Sequence, residues 1–335
     1  MYVLGIEGTA HTIGVGIYND EKDEVLANVI EQYVGYEGIL PREAADHHSL
    51  FFPITLKKAL QNAKLTMKDI DVIAVSQGPG IGAPLSFTVS VAKFLSSYYK
   101  KPIVAVNHPY AHIKIAEWES KIKNAIILYT SGGNTQILWQ SKDGFYEILG
   151  ETLDISVGNL FDTFARKANI RPANAVELLK YAEKGKFIEL PYTVKGMNLQ
   201  YGGLLTSALR ALRNHPLEDV AYSLFETAFY MLAEVTERAL HLKKAEGIIL
   251  CGGVAQNKRL QEIMEIIAKE NNVKFKPAKD EYNRDNGAMI AYAGYVIAKT
   301  WGFHDIKKVK PITNYRIDMM PVIIEELTLK DQSKK

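Results

Sequence analysis

The sequence predicts an α/β protein made of two related domains. Short apolar runs of strand length alternate with segments of helical spacing along the 335 residues. A layout of apolar strand, small polar turn and second apolar strand occurs at residues 2–18 and again at residues 125–139. The length also suits about two domains. We therefore expect one domain at 1–124 and a second at 125–286, with a C-terminal helix at 287–330 that can pack back on the first.

Composition excludes several classes of protein. Hydrophobic residues make up 47% of the chain and charged residues 23%, which supports a large core and argues against global disorder. The 40 basic and 38 acidic residues give a net charge of +2, so the surface as a whole is not strongly basic, although a local basic patch is allowed.

Cys251 is the single cysteine, so we expect no intrachain disulfide and a reducing cytoplasm. The first residues do not resemble a signal peptide, and no apolar run approaches the ~20 residues of a membrane span, so no membrane association is expected.

The elements of the first half follow from apolar runs separated by glycine-rich turns. We expect strands at 2–7, 13–18, 25–32, 71–76 and 102–106. Helices are expected at 47–63 and 82–99, and a charged loop at 41–48. The turn at residues 8–12 is rich in Gly and Thr, whose donors can face an anion. The glycine-rich loop at 78–82 lies between a strand and a helix and is a candidate phosphate site.

The second half begins with strands at 125–129 and 136–139, joined by the polar turn 130–135. A loop from residue 150 then leads into a helix that carries Asp162 and ends near Ala168. Further helices are expected at 175–185, 202–213, 219–243, 258–269 and 287–299, and further strands at 247–251 and 273–275. The last ~35 residues are predicted to be irregular, with a frayed polar tail at 331–335.

Two histidines after the strand at 102–106 form a candidate metal site. Pro109 suits the first turn of a helix, and the following residues keep a helical apolar rhythm. His108 and His112 are therefore i and i+4 on one helical face, where two imidazoles can chelate one ion. A pair of half-buried or capping histidines is the alternative that this spacing leaves open.

Three small-residue turns follow strands in the two halves, at 8–12, 130–135 and 252–257. Two such turns can grip phosphates from opposite sides while the third flanks a base or ribose. This motif order is that of the actin, Hsp70 and sugar-kinase fold class, in which two RNase H-like domains face a nucleotide cleft. Glu7 lies where an acid on the first strand would meet a cation or a water, although a surface carboxylate at a strand end is equally compatible with its position.

Eight segments carry a resemblance to a known family. They are Gly5–Ala10, Arg42–His48, Gln77–Gly82, Val106–His112, Tyr129–Gln136, Gly150–Ile155, Gly252–Ala255 and Asp285–Ala291. Through these motifs, and over about residues 2–320, the chain resembles the archaeal and eukaryotic branch of the tRNA N6-adenosine threonylcarbamoyltransferases. Members of that branch are the catalytic subunit of the KEOPS complex and were formerly described as O-sialoglycoprotein endopeptidases.

The resemblance implies a metal ion, with iron favoured over zinc, held by residues that match His108, His112 and Asp285, with Tyr129 as a further ligand close by. Two imidazoles and a carboxylate from a distant segment would leave positions open for a substrate oxygen, as a catalytic metal requires. Without the resemblance, Asp285 also suits the N-cap of the next helix, and Tyr129 suits a buried tyrosine at a strand end.

The reaction that the resemblance implies is acyl transfer from threonylcarbamoyl-AMP to N6 of the adenosine beside the anticodon, in tRNAs that read codons starting with A. His108, His112 and Asp285 would be catalytic, and ATP or threonylcarbamoyl-AMP would be the bound nucleotide. The implied substrate-binding and nucleotide-binding residues are Tyr129, Thr130, Ser131, Gly132, Gly133, Asp162, Ala175 and Asn257. The implied partners are tRNA and the other KEOPS subunits, namely a small atypical kinase or ATPase, a dimerising subunit and a regulatory subunit.

The chain departs from the family pattern at three places. Relatives have Gly-Gly-Pro followed by a glutamate where this chain has Asn174-Ala175-Val176 and then Leu179, which cannot accept a hydrogen bond from a ribose. Glu177 could substitute from a neighbouring position. The usual Ser-Phe-Ser-Gly-Leu is Gln200–Leu204 here, and a common arginine is replaced by Phe87. These departures bear on nucleotide affinity more than on metal binding.

Three other functions compete with acyl transfer. A zincin-type metalloprotease needs a glutamate directly after the first histidine, but Pro109, Tyr110 and Ala111 separate the two histidines here. A small-molecule kinase of the same fold class would use the phosphate turns but would not need the metal ligands. A non-catalytic subunit that binds nucleotide and scaffolds its partners is the third alternative.

Overall fold

The computed structural model describes residues 1–35 and 38–329, and the chain divides into two compact units. The first unit contains Met1–Ile115 together with the chain from Arg284 onward, and the second contains Ala116–Asn283. The polar tail predicted at 331–335 lies outside the described residues.

The strands are short and mostly buried. Those in the described residues are β1 (Tyr2–Glu7), β2 (Thr12–Asn19), β3 (Glu24–Gln32), β4 (Val72–Gly78), β5 (Ile103–Asn107), β6 (Ala125–Thr130), β7 (Thr135–Gln140), β8 (Tyr146–Glu151), β9 (Val194–Lys195), β10 (Asn198–Leu199), β11 (Gly247–Cys251) and β12 (Lys274–Pro277). β9 and β10 form a separate two-stranded ribbon.

The two units contain the same sheet. In the first unit the order is β3-β2-β1-β4-β5, with β1 to β3 antiparallel and β4 and β5 parallel to β1. In the second unit the order is β8-β7-β6-β11-β12, with β6 to β8 antiparallel and β11 and β12 parallel to β6. The repeat predicted from the layout of the two halves is therefore confirmed, as is the α/β fold class with two RNase H-like sheets.

Helices follow the strands in both units. Those in the described residues are α1 (Pro41–Ala63), α2 (Gly82–Tyr99), α3 (His108–Ser120), α4 (Val157–Lys167), α5 (Ala175–Ala182), α6 (Gly202–Ala211), α7 (Leu217–Lys243), α8 (Lys258–Glu270), α9 (Asp280–Asn283), α10 (Gly287–Thr300) and α11 (Met320–Leu327), with short 3-10 turns at Gly253–Gln256 and Ile317–Met319. None of these helices is long and apolar enough to cross a membrane.

Glycine allows α10 to lie directly on the sheet of the first unit. A methyl group at Gly287 would overlap the backbone nitrogen of Gly16 on β2. A methyl group at Gly5 on β1 would overlap the backbone of α10 at Ala291. Backbone-to-backbone contact of this kind tolerates no Cβ, and it fixes the start of α10 over β1 and β2.

Some local predictions are wrong. The sequence suggests a loop at 41–48, but α1 begins at Pro41, because proline suits the first turn of a helix and the charged residues after it lie on an exposed face. β8 is not predicted, and its last two residues are assigned to a loop, because a half-buried edge strand has a weak apolar pattern. The final residues are not irregular throughout, since α11 covers Met320–Leu327.

Two departures from the family pattern are explained by packing. Phe87 packs against the core of the first unit and lies edge-on to Phe52, with ring centroids 6.2 Å apart. Leu179 packs against the core of the second unit, in which the tilted rings of Phe161 and Phe225 have centroids 4.1 Å apart. Both positions therefore contribute apolar area to a core.

Candidate functional site

The two predicted metal-binding histidines lie on the first turns of α3. β5 is buried along its whole length and ends at Asn107, whose side-chain oxygen accepts the Tyr110 N–H and caps the new helix. His108 and His112 consequently lie one turn apart, with ring centroids separated by 4.8 Å. Both side chains are almost completely buried.

Asp285 reaches these rings from the other end of the chain. The N-cap of α10 is Asn286, whose side chain accepts the Met289 N–H, so the capping interpretation of Asp285 is wrong. The Asp285 carboxylate is free of that role, and its Oδ1 lies 3.4 Å from His108 Nε2 and 3.2 Å from His112 Nε2. The predicted convergence of two imidazoles and one distant carboxylate is present. One ligand atom from each of the three residues lies within 4.8 Å of the other two.

The chemistry of this cluster fits a metal ion. Two Nε2 atoms and a carboxylate oxygen are suitable ligands for zinc or iron, and only small movements would bring them to bonding distance. Burial lowers the pKa of His108, but the Glu7 and Asp285 carboxylates outweigh this effect and raise the pKa to about 10. Burial raises the pKa of Asp285, but His108 and His112 hold it well below its usual range. Burial lowers the pKa of His112.

Glu7 lies beside this cluster and is fully buried, so the interpretation as a surface carboxylate is wrong. Its Oε2 is 3.1 Å from His108 Nδ1. Its Oε1 accepts hydrogen bonds from the Thr9 N–H at 2.8 Å and the Thr9 hydroxyl at 2.5 Å. The donors of the turn at 8–12 therefore face an anion that belongs to the chain itself.

In the loop at 78–82, two backbone N–H groups are already hydrogen-bonded within the chain. The Gly80 N–H donates to the Thr313 carbonyl, and the Ile81 N–H donates to the Thr9 carbonyl at 2.7 Å. A methyl group at Gly80 would come within 2.5 Å of the same Thr9 oxygen. The glycines permit close packing against the turn at 8–12, and these two N–H groups already have acceptors.

In the second unit, the predicted substrate residues 129–133 lie at the end of β6 and in the turn that follows. Tyr129 and Thr130 are fully buried, and the Thr130 hydroxyl has no hydrogen-bond partner among the described residues. The Ser131 hydroxyl accepts the Asn134 N–H at 2.9 Å, which closes the turn. Gly132 and Gly133 have open space where a side chain would be, so a ligand could approach their backbone.

Two other predicted nucleotide residues are brought together. The Asp162 carboxylate on α4 accepts the Ala175 N–H at 2.9 Å, at the start of α5. The Asn174 side chain caps α5 by accepting the Glu177 N–H. Glu177 itself pairs with Lys180, at 2.6 Å. The predicted substitution of Glu177 for the missing glutamate therefore competes with an ion pair on the same helix.

Asn257 is the N-cap of α8. Its side-chain oxygen accepts the N–H groups of Arg259 and Leu260 at 2.9 and 3.2 Å. Its oxygen is therefore committed to the helix, and its amide nitrogen is the group that could contact a nucleoside.

Comparison with known proteins identifies the family of the chain. Residues 24–292 match the family described as TsaD, tRNA N6-adenosine threonylcarbamoyltransferase. A protein of that name from Thermococcus sibiricus is 47% identical over 326 residues, which are 96% of this chain and 99% of that protein. The chain belongs to the tRNA N6-adenosine threonylcarbamoyltransferase family. It is an enzyme that modifies tRNA by acyl transfer.

Two further comparisons place the chain more broadly. A Methanocaldococcus jannaschii protein named as a probable bifunctional tRNA threonylcarbamoyladenosine biosynthesis protein is 45% identical, and the match covers 96% of this chain and 60% of that one. The crystal structure of Thermococcus kodakarensis HypF superposes with a TM-score of 0.63 at 17% identity, over 88% of this chain and 47% of that one. The latter likeness concerns the fold alone.

Sequence reasoning missed the residues that orient the site. Asn283 is buried, accepts the Gly252 N–H at 3.1 Å and donates to the Ala278 carbonyl at 2.8 Å, so it holds the turn after β11. Ser156 caps α4 and donates its hydroxyl proton to the Gly132 carbonyl, which ties the turn after β6 to that helix. A serine directly before an amphipathic helix was the available signal for Ser156. No local pattern marks Asn283.

Proposed function

We propose that this chain transfers the threonylcarbamoyl group of threonylcarbamoyl-AMP to N6 of the adenosine adjacent to the anticodon, in tRNAs that read codons starting with A. The observation that carries the proposal is the convergence of His108, His112 and Asp285 at 3.2–3.4 Å in a member of this family. A family member without catalytic chemistry would not need a carboxylate held between two buried imidazoles.

The three side chains would hold one ion, iron or zinc, with Tyr129 as a proposed additional ligand. Such an ion, when bound, supplies a Lewis acid for the carbamoyl carbonyl or the threonine carboxylate. The chain's own part is to keep both Nε2 atoms and the Asp285 oxygen aimed at one point, since burial limits the movement of the two rings.

The residues of the second unit would hold the donor nucleotide. The open backbone at Gly132 and Gly133 suits phosphate or carboxylate oxygens, and Thr130 and Ser131 add hydroxyls. Asp162 and Ala175 lie in contact and would meet the ribose, and Asn257 would meet the nucleoside through its amide nitrogen. Adenosine N6 is a weak nucleophile, so orientation by these groups should supply much of the rate.

The same proposal includes partners and location. The chain would act in the cytoplasm with the KEOPS subunits: a small atypical kinase or ATPase, a dimerising subunit and a regulatory subunit. The net charge of +2 supports this, because a protein that binds tRNA alone is usually more basic. The bifunctional relative from Methanocaldococcus jannaschii, of whose length this chain covers 60%, also supports a second activity acting beside this one.

Reconstitution with threonylcarbamoyl-AMP and unmodified tRNA tests the proposal, with mass spectrometry of the nucleosides and metal analysis of the protein. Asp285→Asn should lose bound metal and reduce modification by more than about 100-fold, since it removes a ligand and a charge. Asp318→Asn is the matched control, because Asp318 is an exposed partner of Arg316 in the same unit. Wild-type modification by Asp285→Asn would reject the proposed chemistry, and phosphorylation of a small molecule without tRNA modification would favour the kinase alternative.

A further inference from the structure

We propose that Glu7 is a positioning residue that keeps a proton on His108 Nδ1 and so directs the Nε2 lone pair of that ring toward the metal. The inference rests on the proposed metal centre. It concerns the buried Glu7 carboxylate, which lies beside the three proposed ligands but is not one of them.

The contacts of Glu7 define what it can do. Its side chain has no exposed surface. The two Thr9 donors occupy Oε1, and Oε2 is left for His108 Nδ1 at 3.1 Å. An ionised carboxylate can only accept hydrogen bonds, so the proton of this contact must be on Nδ1. With a proton held at Nδ1, Nε2 is the nitrogen through which the ring can bind a cation.

The Thr9 hydroxyl is not a competing partner for the ring. It lies 3.4 Å from His108 Nδ1 but only 2.5 Å from Glu7 Oε1. Its one proton is therefore donated to the carboxylate, which leaves the shorter Glu7 contact as the one that selects the tautomer.

Glu7 is not placed to bind the ion directly. Asp285 lies on the Nε2 side of the His108 ring and Glu7 on the Nδ1 side. These two nitrogens point away from each other, so an ion at Nε2 is separated from Glu7 by the ring. Hydrogen bonding of this kind behind a metal-binding histidine raises the basicity of the ligand and fixes its orientation.

The surrounding chain holds Glu7 rigidly. The Gly8 N–H donates to the Ser76 hydroxyl on β4 at 3.2 Å. The Thr88 hydroxyl on α2, which donates to the Pro84 carbonyl at 2.9 Å, also lies 3.1 Å from the Gly8 carbonyl. The loop at 78–82 holds the Thr9 carbonyl through the Ile81 N–H. This rigid support is the role that we infer for the glycine-rich loop at 78–82.

The first test compares Co²⁺ affinity in metal-free wild-type, Glu7→Gln and Asp71→Asn proteins. A glutamine at position 7 keeps an oxygen for Thr9 but presents N–H groups to the ring, so Nδ1 becomes an acceptor and Nε2 takes the proton. We expect Co²⁺ to bind Glu7→Gln about 10–100-fold more weakly. Asp71 accepts the Tyr2 N–H at the other end of β1, and Asp71→Asn should bind Co²⁺ like the wild type. Wild-type affinity in a folded Glu7→Gln protein would overturn the proposal.

The second test needs no metal. In protein labelled with ¹⁵N at its 8 histidines, the His108 resonances are assigned with His108→Gln. We expect Nδ1 of His108 to carry a proton in the metal-free wild type and to lack one in Glu7→Gln. An unprotonated Nδ1 in the wild type would overturn the role of Glu7. A wild type that binds no Co²⁺ yet shows this proton would instead count against the metal centre of the proposed function.

Discussion

Thr130 and Thr135 are paired across the β6–β7 hairpin, yet their hydroxyls have different surroundings. The Thr135 hydroxyl oxygen accepts the Val157 N–H at 2.8 Å, at the start of α4. The Thr130 hydroxyl is buried and has no partner among the described residues. A buried hydroxyl without a partner costs stability, so its retention is compatible with a contact made only to substrate.

Valine substitutions at these two positions separate stability from binding. Thr135→Val should lower the free energy of unfolding by about 1–2 kcal/mol, because it leaves the Val157 N–H without an acceptor. Thr130→Val should raise that free energy by about 1 kcal/mol, because it removes a buried hydroxyl without a partner among the described residues, but it should also raise KM for threonylcarbamoyl-AMP several-fold. Urea unfolding and steady-state kinetics measure the two effects. An unchanged KM in Thr130→Val would remove Thr130 from the proposed donor site.

At this scale the sequence predicts ligands that are close in the chain better than those that are distant. His108 and His112 follow from i, i+4 spacing, whereas Asp285, 173 residues after His112, came only from the family resemblance. The burial of Glu7 could not be predicted, because it depends on β4 and α2 closing over the end of β1.

Contact between α10 and the sheet places Asp285. Asn286 caps α10, and Gly287 lies against Gly16, so the residue just before the cap has little freedom to move. The position of the carboxylate is therefore set by packing between a helix and two strands.

Gly287→Ala should disturb both the fold and the metal site. The added methyl group would overlap the backbone of Gly16, and we expect a loss of about 3 kcal/mol in unfolding free energy together with weaker Co²⁺ binding. Gly203→Ala is the control, because nothing lies near the added methyl group in α6 and alanine favours a helix by about 0.5–1 kcal/mol. Unfolding curves with matched Co²⁺ titrations measure both effects, and tight binding in Gly287→Ala would show that α10 does not position Asp285.

His304 attaches the segment after α10 to the edge of β5. Its Nδ1 accepts the Ala105 N–H at 3.0 Å, and His304 pairs in an antiparallel bridge with Ile103. Burial lowers the pKa of His304 to about 4, compared with 6.5 for an unperturbed histidine. The ring is therefore neutral in the folded protein.

Acid should lower the stability of the folded protein, because it protonates His304. The lowered pKa contributes stability that is complete above pH 6.5 and is lost as the pH falls toward 4, by up to roughly 3 kcal/mol. His48, whose pKa burial also lowers to about 4, should add a similar dependence. His304→Asn keeps an acceptor for the Ala105 N–H but takes no proton, so its unfolding midpoint should fall less steeply between pH 6.5 and 4.5. A slope equal to that of the wild type would contradict this assignment.

Strong periodic elements were predictable, and weak ones were not. α7 and the buried strands β5, β6 and β11 match their predictions because they are long or uniformly apolar. β8 was missed, because its residues are mostly half-buried. The start of α1 was missed, because exposed charges after Pro41 resemble a loop.

For the whole molecule, the repeat of one sheet in two units was visible in the sequence as a repeated strand–turn–strand layout. The functions of the equivalent turns were not visible, since the same glycine and threonine pattern supports a carboxylate in the first unit and an open backbone in the second. Backbone donors become available to a ligand only where no other part of the chain accepts them first.

X-ray absorption on protein loaded with one equivalent of Zn²⁺ tests the central claim most directly. We predict one tightly bound ion per chain, with two imidazole nitrogens at about 2.0–2.1 Å and at least one oxygen at about 2.0–2.2 Å. Asp285→Asn should bind the ion far more weakly, because the carboxylate at 3.2–3.4 Å from both rings is lost. A spectrum from the wild-type protein that lacks imidazole scattering, or a protein that retains no ion, would contradict the account.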